Sequence, residues 1–173
     1  ILQNKTLEHI IISSFIIILK KISLQNPNFT FIINSEGKMA NEKKVLTIKN
    51  NILEKCTNSK FAVDIEIPDG VIEIASEAFA GRCASGCASL LSVVVPDSVK
   101  AIRHSAFEYC RNLQKVTLPK ELEILEAYVF NNCRALEEIV IPEGISTIEY
   151  STFNFCLKLK KITLPKSLKV IQE

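Results

Sequence analysis

Cysteine and histidine are the side chains in this sequence with the widest chemical reach, and their spacing decides what they can do. There are six cysteines and two histidines in 173 residues. A structural zinc centre needs two closely spaced ligand pairs. Only Cys83 and Cys87 stand close together, and neither a second pair nor a histidine cluster follows them. Cys110, Cys133 and Cys156 instead recur every 23 residues. If that step is one turn of a repeating coil, the three stack about 5 Å apart, a separation that permits disulfides. A column of free thiols fits better, because an unpaired cysteine packs as a small hydrophobe. Cys83 and Cys87 lie among small residues, so an exposed, oxidisable pair is expected there. His9 and His104 fall in unrelated phases, without the nucleophile and acid of a catalytic triad. Glu126 and Glu149 recur as solvent-facing positions, whereas paired acids for glycoside chemistry need a cleft. Neither a catalytic centre nor a cofactor or metal site is expected.

The elements that carry these residues form a repeat. Pro96, Pro119, Pro142 and Pro165 are each 23 residues apart. Two alternating aliphatics precede each proline: Val93 and Val95, Val116 and Leu118, Ile139 and Ile141, Ile162 and Leu164. Val99, Leu122, Ile145 and Leu168 follow three residues after the prolines, and Ile102, Leu125, Ile148 and Ile171 six after. Phe107, Phe130 and Phe153, then the cysteines, then Leu113, Leu136 and Leu159 keep the same phase. An earlier copy holds Ile65, Ile67, Pro68, Val71, Ile74 and Phe79, and its proline stands 28 residues before Pro96. The five extra residues fall within 81–89, read as a surface bulge, after which Cys87 and Leu90 return to register.

Each unit translates into a physical form. The period of two at 115–118 points Val116 and Leu118 inward and Lys115 and Thr117 outward. Proline then ends the strand, because it has no N–H to donate. Leu122, Leu125, Val129 and Phe130 make a one-sided apolar stripe, which predicts a turn followed by a short helical segment. One coil cannot enclose its own aliphatics, so stability must come from stacking neighbours. The expected architecture is an α/β-type repeat solenoid, with a short parallel strand per coil and turns or short helical segments on the other side.

The pattern strand-Pro-x-x-aliphatic-x-x-Ile, then Ala-Phe-x-x-Cys-x-x-Leu, resembles the BspA-like class of leucine-rich repeats. Units 92–114 and 138–160 carry it most clearly. Departures are Val129 and Thr152 in place of alanine, and Arg103, Glu126 and Glu149 where the family often has glycine. The solenoid is read over residues 61–173, as four full repeats and a partial one. Residues 1–24 are read as degenerate repeats, because 19–24 nearly duplicates 159–164 and 7–12 echoes 136–141. Residues 25–60 are read as a hairpin-bearing island, with strands at 29–33 and 44–48 and a turn at 34–37. That reading is preferred to a signal peptide followed by a linker. The apolar stretch 7–19 is too short to span a bilayer, and its basic residues Lys20 and Lys21 lie behind it. The chain begins at Ile1 and its only methionine is Met39, so it is read either as a fragment of a longer product or as starting at Met39, and Glu173 falls midway through a repeat.

Function follows from the outward strand positions. One column runs Asp64, Ser92, Lys115, Glu138, Lys161 and the other Glu66, Val94, Thr117, Val140, Thr163. Ser92, Val94, Lys115, Thr117, Glu138, Val140, Lys161 and Thr163 are the candidate partner-binding face. Solubility alone accounts for the charges, whereas exposed Val94 and Val140 would be apolar anchors. A net charge of +2 and the absence of tryptophan give no footprint for nucleic acid or anionic lipid. The expectation is a non-enzymatic module that binds protein ligands, with no nucleic-acid partner and no membrane span. The resemblance implies a cell-surface or secreted location, for which the sequons at Asn4 and Asn28 carry little weight. An intracellular scaffold, or the repeat arm of a larger protein, is the alternative.

Overall fold

The computed structural model describes residues 46–57, 63–81, 87 and 89–173, and residues 45–173 form one compact unit. The readings at 1–24, 29–33 and 34–37, and that of Cys83, lie outside the described residues. Each coil contributes two short strands, one before its proline and one after. Those before the proline are β3 (Val63–Glu66), β5 (Leu90–Val94), β7 (Lys115–Thr117), β9 (Glu138–Val140) and β11 (Lys161–Thr163). They pair in parallel in the order β11-β9-β7-β5-β3 and form the first sheet. Those after the proline are β4 (Glu73–Ile74), β6 (Ala101–Ile102), β8 (Ile124–Leu125), β10 (Thr147–Ile148) and β12 (Val170–Ile171). They form a second sheet in two pieces, β4-β6-β8 and β10-β12. The piece holding β4 is extended by an antiparallel hairpin, β1 (Leu46–Lys49) and β2 (Ile52–Cys56), whose second strand pairs in parallel with β4. Asn50 and Asn51 turn it with φ of 49° and 64°, the left-handed pair that a two-residue hairpin needs.

The repeat columns become the core. Ile65, Val93, Val116 and Ile139 are buried between the sheets, as are Ile74, Ile102, Leu125 and Ile148. Phe79, Phe107, Phe130 and Phe153 stack in line, with successive ring centroids 4.7, 5.6 and 5.8 Å apart. In the last coil the same columns emerge, and Ile171 is 63% exposed where Ile148 is 5%. Ile162 and Leu164 are exposed too. At the corners after the prolines, Gly70 donates its N–H to Ser98 Oγ and Gly144 donates to Ser167 Oγ, both at 3.2 Å. Gly144 has φ of +102°, and a Cβ on it would lie 3.2 Å from the Leu122 carbonyl oxygen. Glycine meets both demands at that corner.

The expected helical segments are not there: no described residue is helical. Residues 103–110 form successive tight turns, with Ser105 and Tyr109 left-handed at φ of 55° and 60°. The N–H groups of Ala106, Glu108 and Cys110 donate three residues back, to Arg103, Ser105 and Phe107. Those of Ser105, Phe107 and Tyr109 donate to Ala127, Val129 and Asn131 of the next coil. Tyr128 and Asn132, then Ser151 and Phe155, repeat the left-handed positions. A helix commits its N–H groups to its own carbonyls. The turn stack gives every second one to its neighbour, which offsets the roughly 1–2 kcal/mol that a left-handed L-residue costs. Its apolar side faces the core just as the predicted helix would have.

Candidate functional site: the outer face of the first sheet

Strand alternation sets the face. Val116 and Ile139 point into the core, so Lys115, Thr117, Glu138 and Val140 point out. The pairing register lines up the first column throughout and the second in part. Asp64 is opposite Ser92, Ser92 opposite Lys115, Lys115 opposite Glu138, and Glu138 opposite Lys161. Beside them Glu66 is opposite Val94, Val94 opposite Thr117, and Val140 opposite Thr163. All eight candidate residues therefore lie on one surface. Val94 is 42% exposed and Val140 62%, so both supply apolar area that solubility does not call for. Ser92 Oγ donates to Asp64 Oδ1 at 2.6 Å.

A shallow depression of about 620 Å³ lies on this face, lined by Lys115, Thr117, Glu138, Val140, Lys161 and Thr163 among others. Lys120 and Glu143, one residue past their prolines, also line it. Sequence reading left that position out, although it lies in a regular column: Asp97, Lys120, Glu143, Lys166. Its acids cap the next coil. Asp97 accepts the Lys120 N–H at 3.0 Å, and Glu143 accepts those of Lys166 and Ser167 at 3.2 and 3.4 Å.

The thiol column is internal. Cys110, Cys133 and Cys156 are free, the first two buried and the third half-buried. Each thiol donates across one coil, to the carbonyl of Phe79, Phe107 or Phe130, all at 3.2 Å. Burial drives all three above the ordinary thiol value, Cys156 to about 11, Cys110 further, and Cys133 well above it. Thiolate is the nucleophile and these groups hold their protons, so the column is packing and not chemistry. A thiol whose folded pKa is raised loses its proton first in the unfolded chain. Its contribution is intact below the unfolded value of 9.0 and declines as pH rises, through about 11 for Cys156. Thermal melts are therefore expected to fall as pH rises from 9.0 towards about 11, and a Cys156→Ala variant to show less of that fall.

The expected exposed pair is corrected. Cys87 is buried at 2% exposure and is bonded to Cys56, with Cα atoms 6.4 Å apart and a sequence separation of 31. Cys87 sits in the thiol column's phase, and Cys56 ends β2, so the bond ties the hairpin to the solenoid. The partner was missed because Cys56 belongs to no repeat column. On the second sheet, Arg103 explains two departures from the repeat pattern. Its guanidinium reaches Glu73 at 2.7 Å and Glu126 at 3.0 Å, and these partners raise its pKa further. Glu126 also accepts the His104 N–H at 2.8 Å. The His104 ring meets Tyr128 at 5.3 Å. Among the described residues no group of three or more His, Cys, Asp or Glu side chains could hold a metal ion. No described helix is long and apolar enough to cross a membrane.

Parallel strands stacked coil on coil, with a regular outer face and a phenylalanine spine, define a leucine-rich-repeat solenoid. The model of the BspA type leucine-rich repeat region matches in six copies, over residues 3–83 and 47–173, and the chain belongs to that family. Its fold is similar to that of a leucine-rich repeat protein of T. pallidum, with a TM-score of 0.62 and 28% identity over 84% of this chain and 62% of that one. A leucine-rich cell surface protein of Faecalibacterium prausnitzii gives 0.60 and 26%, over 84% and 43%. The pneumococcal vaccine antigen PcpA gives 0.54 and 26%, over 82% and 40%. The chain thus spans less than two thirds of the length of each. No curated protein matches it.

Proposed function

We propose that this chain is a non-enzymatic protein-interaction module that binds a protein ligand through the outer face of its first sheet. The observation that carries the reading is Val140, 62% exposed beside the depression and opposite Thr163 in the register of the sheet. An apolar side chain on a rigid strand, rimmed by charged groups, is the usual anatomy of a binding patch. On the second sheet Glu73 and Glu126 are occupied by Arg103, whereas the ammonium groups of Lys115 and Lys161 on the first take part in no ion pair among the described residues. Its place is the cell surface or the secreted fraction. The Cys56–Cys87 bond supports that, because disulfides persist in oxidising compartments. Its likeness to a cell surface protein of F. prausnitzii and to a pneumococcal vaccine antigen points the same way. The shares of the longer relatives that it covers favour its being one stretch of a longer array.

The test is a binding screen against purified secreted and surface proteins, run with Val140→Glu and with Ile124→Glu on the outer face of the second sheet. Val140→Glu is expected to weaken a true ligand by about tenfold or more, and Ile124→Glu to leave it unchanged. Ligands that tolerate Val140→Glu but not Ile124→Glu would move the site to the other sheet.

A further inference from the structure

The outer face alternates in charge with a period of two coils. The coil of β7 is basic at both ends of its exposed edge, with Lys115 and Lys120, and that of β11 repeats it with Lys161 and Lys166. The coil of β9 is acidic at the same two positions, with Glu138 and Glu143, and that of β5 carries Ser92 and Asp97. From β5 to β11 the coils read acidic, basic, acidic, basic, about 4.8 Å apart. All seven charged side chains are exposed. Among the described residues, the ion pairs join Lys49 to Glu54, Lys100 to Glu121, Arg103 to Glu73 and Glu126, and Lys160 to Glu137. The ammonium groups of Lys115, Lys120, Lys161 and Lys166 take part in none of them.

That order of signs is complementary to its own reverse. A two-fold axis lying in the face, parallel to the strands and between β7 and β9, turns a second copy so that its coils run the other way. The strands keep their direction. The coil of β7 then meets the second copy's coil of β9, and the coil of β5 meets that of β11. Lys115 faces Glu138, Lys120 faces Glu143 and Asp97 faces Lys166, each pair occurring twice. Thr117 meets Val140 and Val94 meets Thr163, so both exposed valines are covered. The geometry points to a second copy of this chain as an occupant of the face, packed antiparallel in a self-complementary dimer. This rests on the preceding reading of the face as a protein-binding surface, and it names the partner.

A charge exchange on the full chain tests it by sedimentation equilibrium. The wild type is expected to dimerise, and more weakly as salt rises. K115E/K120E sets an acidic coil against an acidic coil, and E138K/E143K a basic against a basic. Each alone is expected to weaken the dimer by about tenfold or more, close charge pairs being strongly coupled across interfaces. Mixed together the two variants restore opposite signs in every pair, so a heterodimer near wild-type strength is expected. That rescue also shows that both variants fold. A wild type that stays monomeric throughout overturns the proposal, and so does a dimer indifferent to either variant. If monomeric protein still loses a separate ligand on Val140→Glu, the second copy is wrong and the binding face stands. If no ligand and no dimer depend on the face, both fail.

Discussion

Replacing Phe107 with alanine is expected to lower the unfolding free energy by about 3–5 kcal/mol, measured by guanidinium titration followed by circular dichroism. Phe107 is fully buried, with Phe79 stacked on one side and Phe130 on the other. Removing its ring therefore weakens two coil-to-coil contacts at once. In a solenoid these nearest-neighbour contacts supply most of the stability, and no distant part of the core can compensate. Domains of this size hold roughly 5–15 kcal/mol in total, so this one change consumes a large share. Phe153→Ala is the comparison. Phe153 has a ring neighbour in Phe130 and is half-buried, so a smaller loss is expected. Equal losses at the two positions would mean that stability does not depend on the continuity of the spine.

The second large effect belongs to the Cys56–Cys87 bond. Closing a loop of 31 residues constrains the unfolded chain by about 3–4 kcal/mol in the chain-entropy account. The Cys56→Ser, Cys87→Ser double variant is expected to lose about that much. The loss should be local first. The hairpin is held by β2 pairing with two residues of β4, by Asn51, which donates to the Gly70 carbonyl and accepts the Ile72 N–H, by the Cys56 N–H donating to the Ala78 carbonyl, and by the disulfide. Hydrogen exchange in the variant should rise in β1 and β2 well before it rises in β7 and β9. A variant with unchanged denaturation and unchanged exchange at β2 would show that packing alone fastens the hairpin.

Much of this architecture could be read from spacing, for a physical reason. A parallel ladder between identical coils forces equivalent residues into register, so a column in the sequence becomes a column in space. Ser92, Lys115, Glu138 and Lys161 are paired for that reason. Val116 and Ile139 are buried because period two leaves them no other side. The helical reading failed because an apolar stripe reports which side faces the core and not how the N–H groups are spent. Leu122, Leu125, Val129 and Phe130 satisfy a helix or a stack of turns equally well. The deciding residues are Tyr128 and Asn132 in left-handed conformation, and tyrosine carries no sequence signal for that. The disulfide was hidden for the opposite reason. Cys87 has a column but Cys56 has none, so only the path of the hairpin brings them together. The 44–48 strand is present from Leu46 onward, and its described partner is β2, across a turn of two asparagines. The charged column after the prolines was visible in sequence, but only the shared depression places it with the outward residues of the first sheet.

The same disulfide changes how the molecule answers a pull. The coils are held by ladders running along the solenoid axis, so tension on the chain ends peels them away one after another. Between Cys56 and Cys87 the covalent bond carries the load instead. The 31 residues it spans are withheld from extension. At about 3.5 Å per residue that is roughly 110 Å of contour that stays folded away until the bond is reduced. A tethered copy in an oxidising medium is therefore shorter when stretched, and it keeps its first coil joined to the hairpin while later coils unravel.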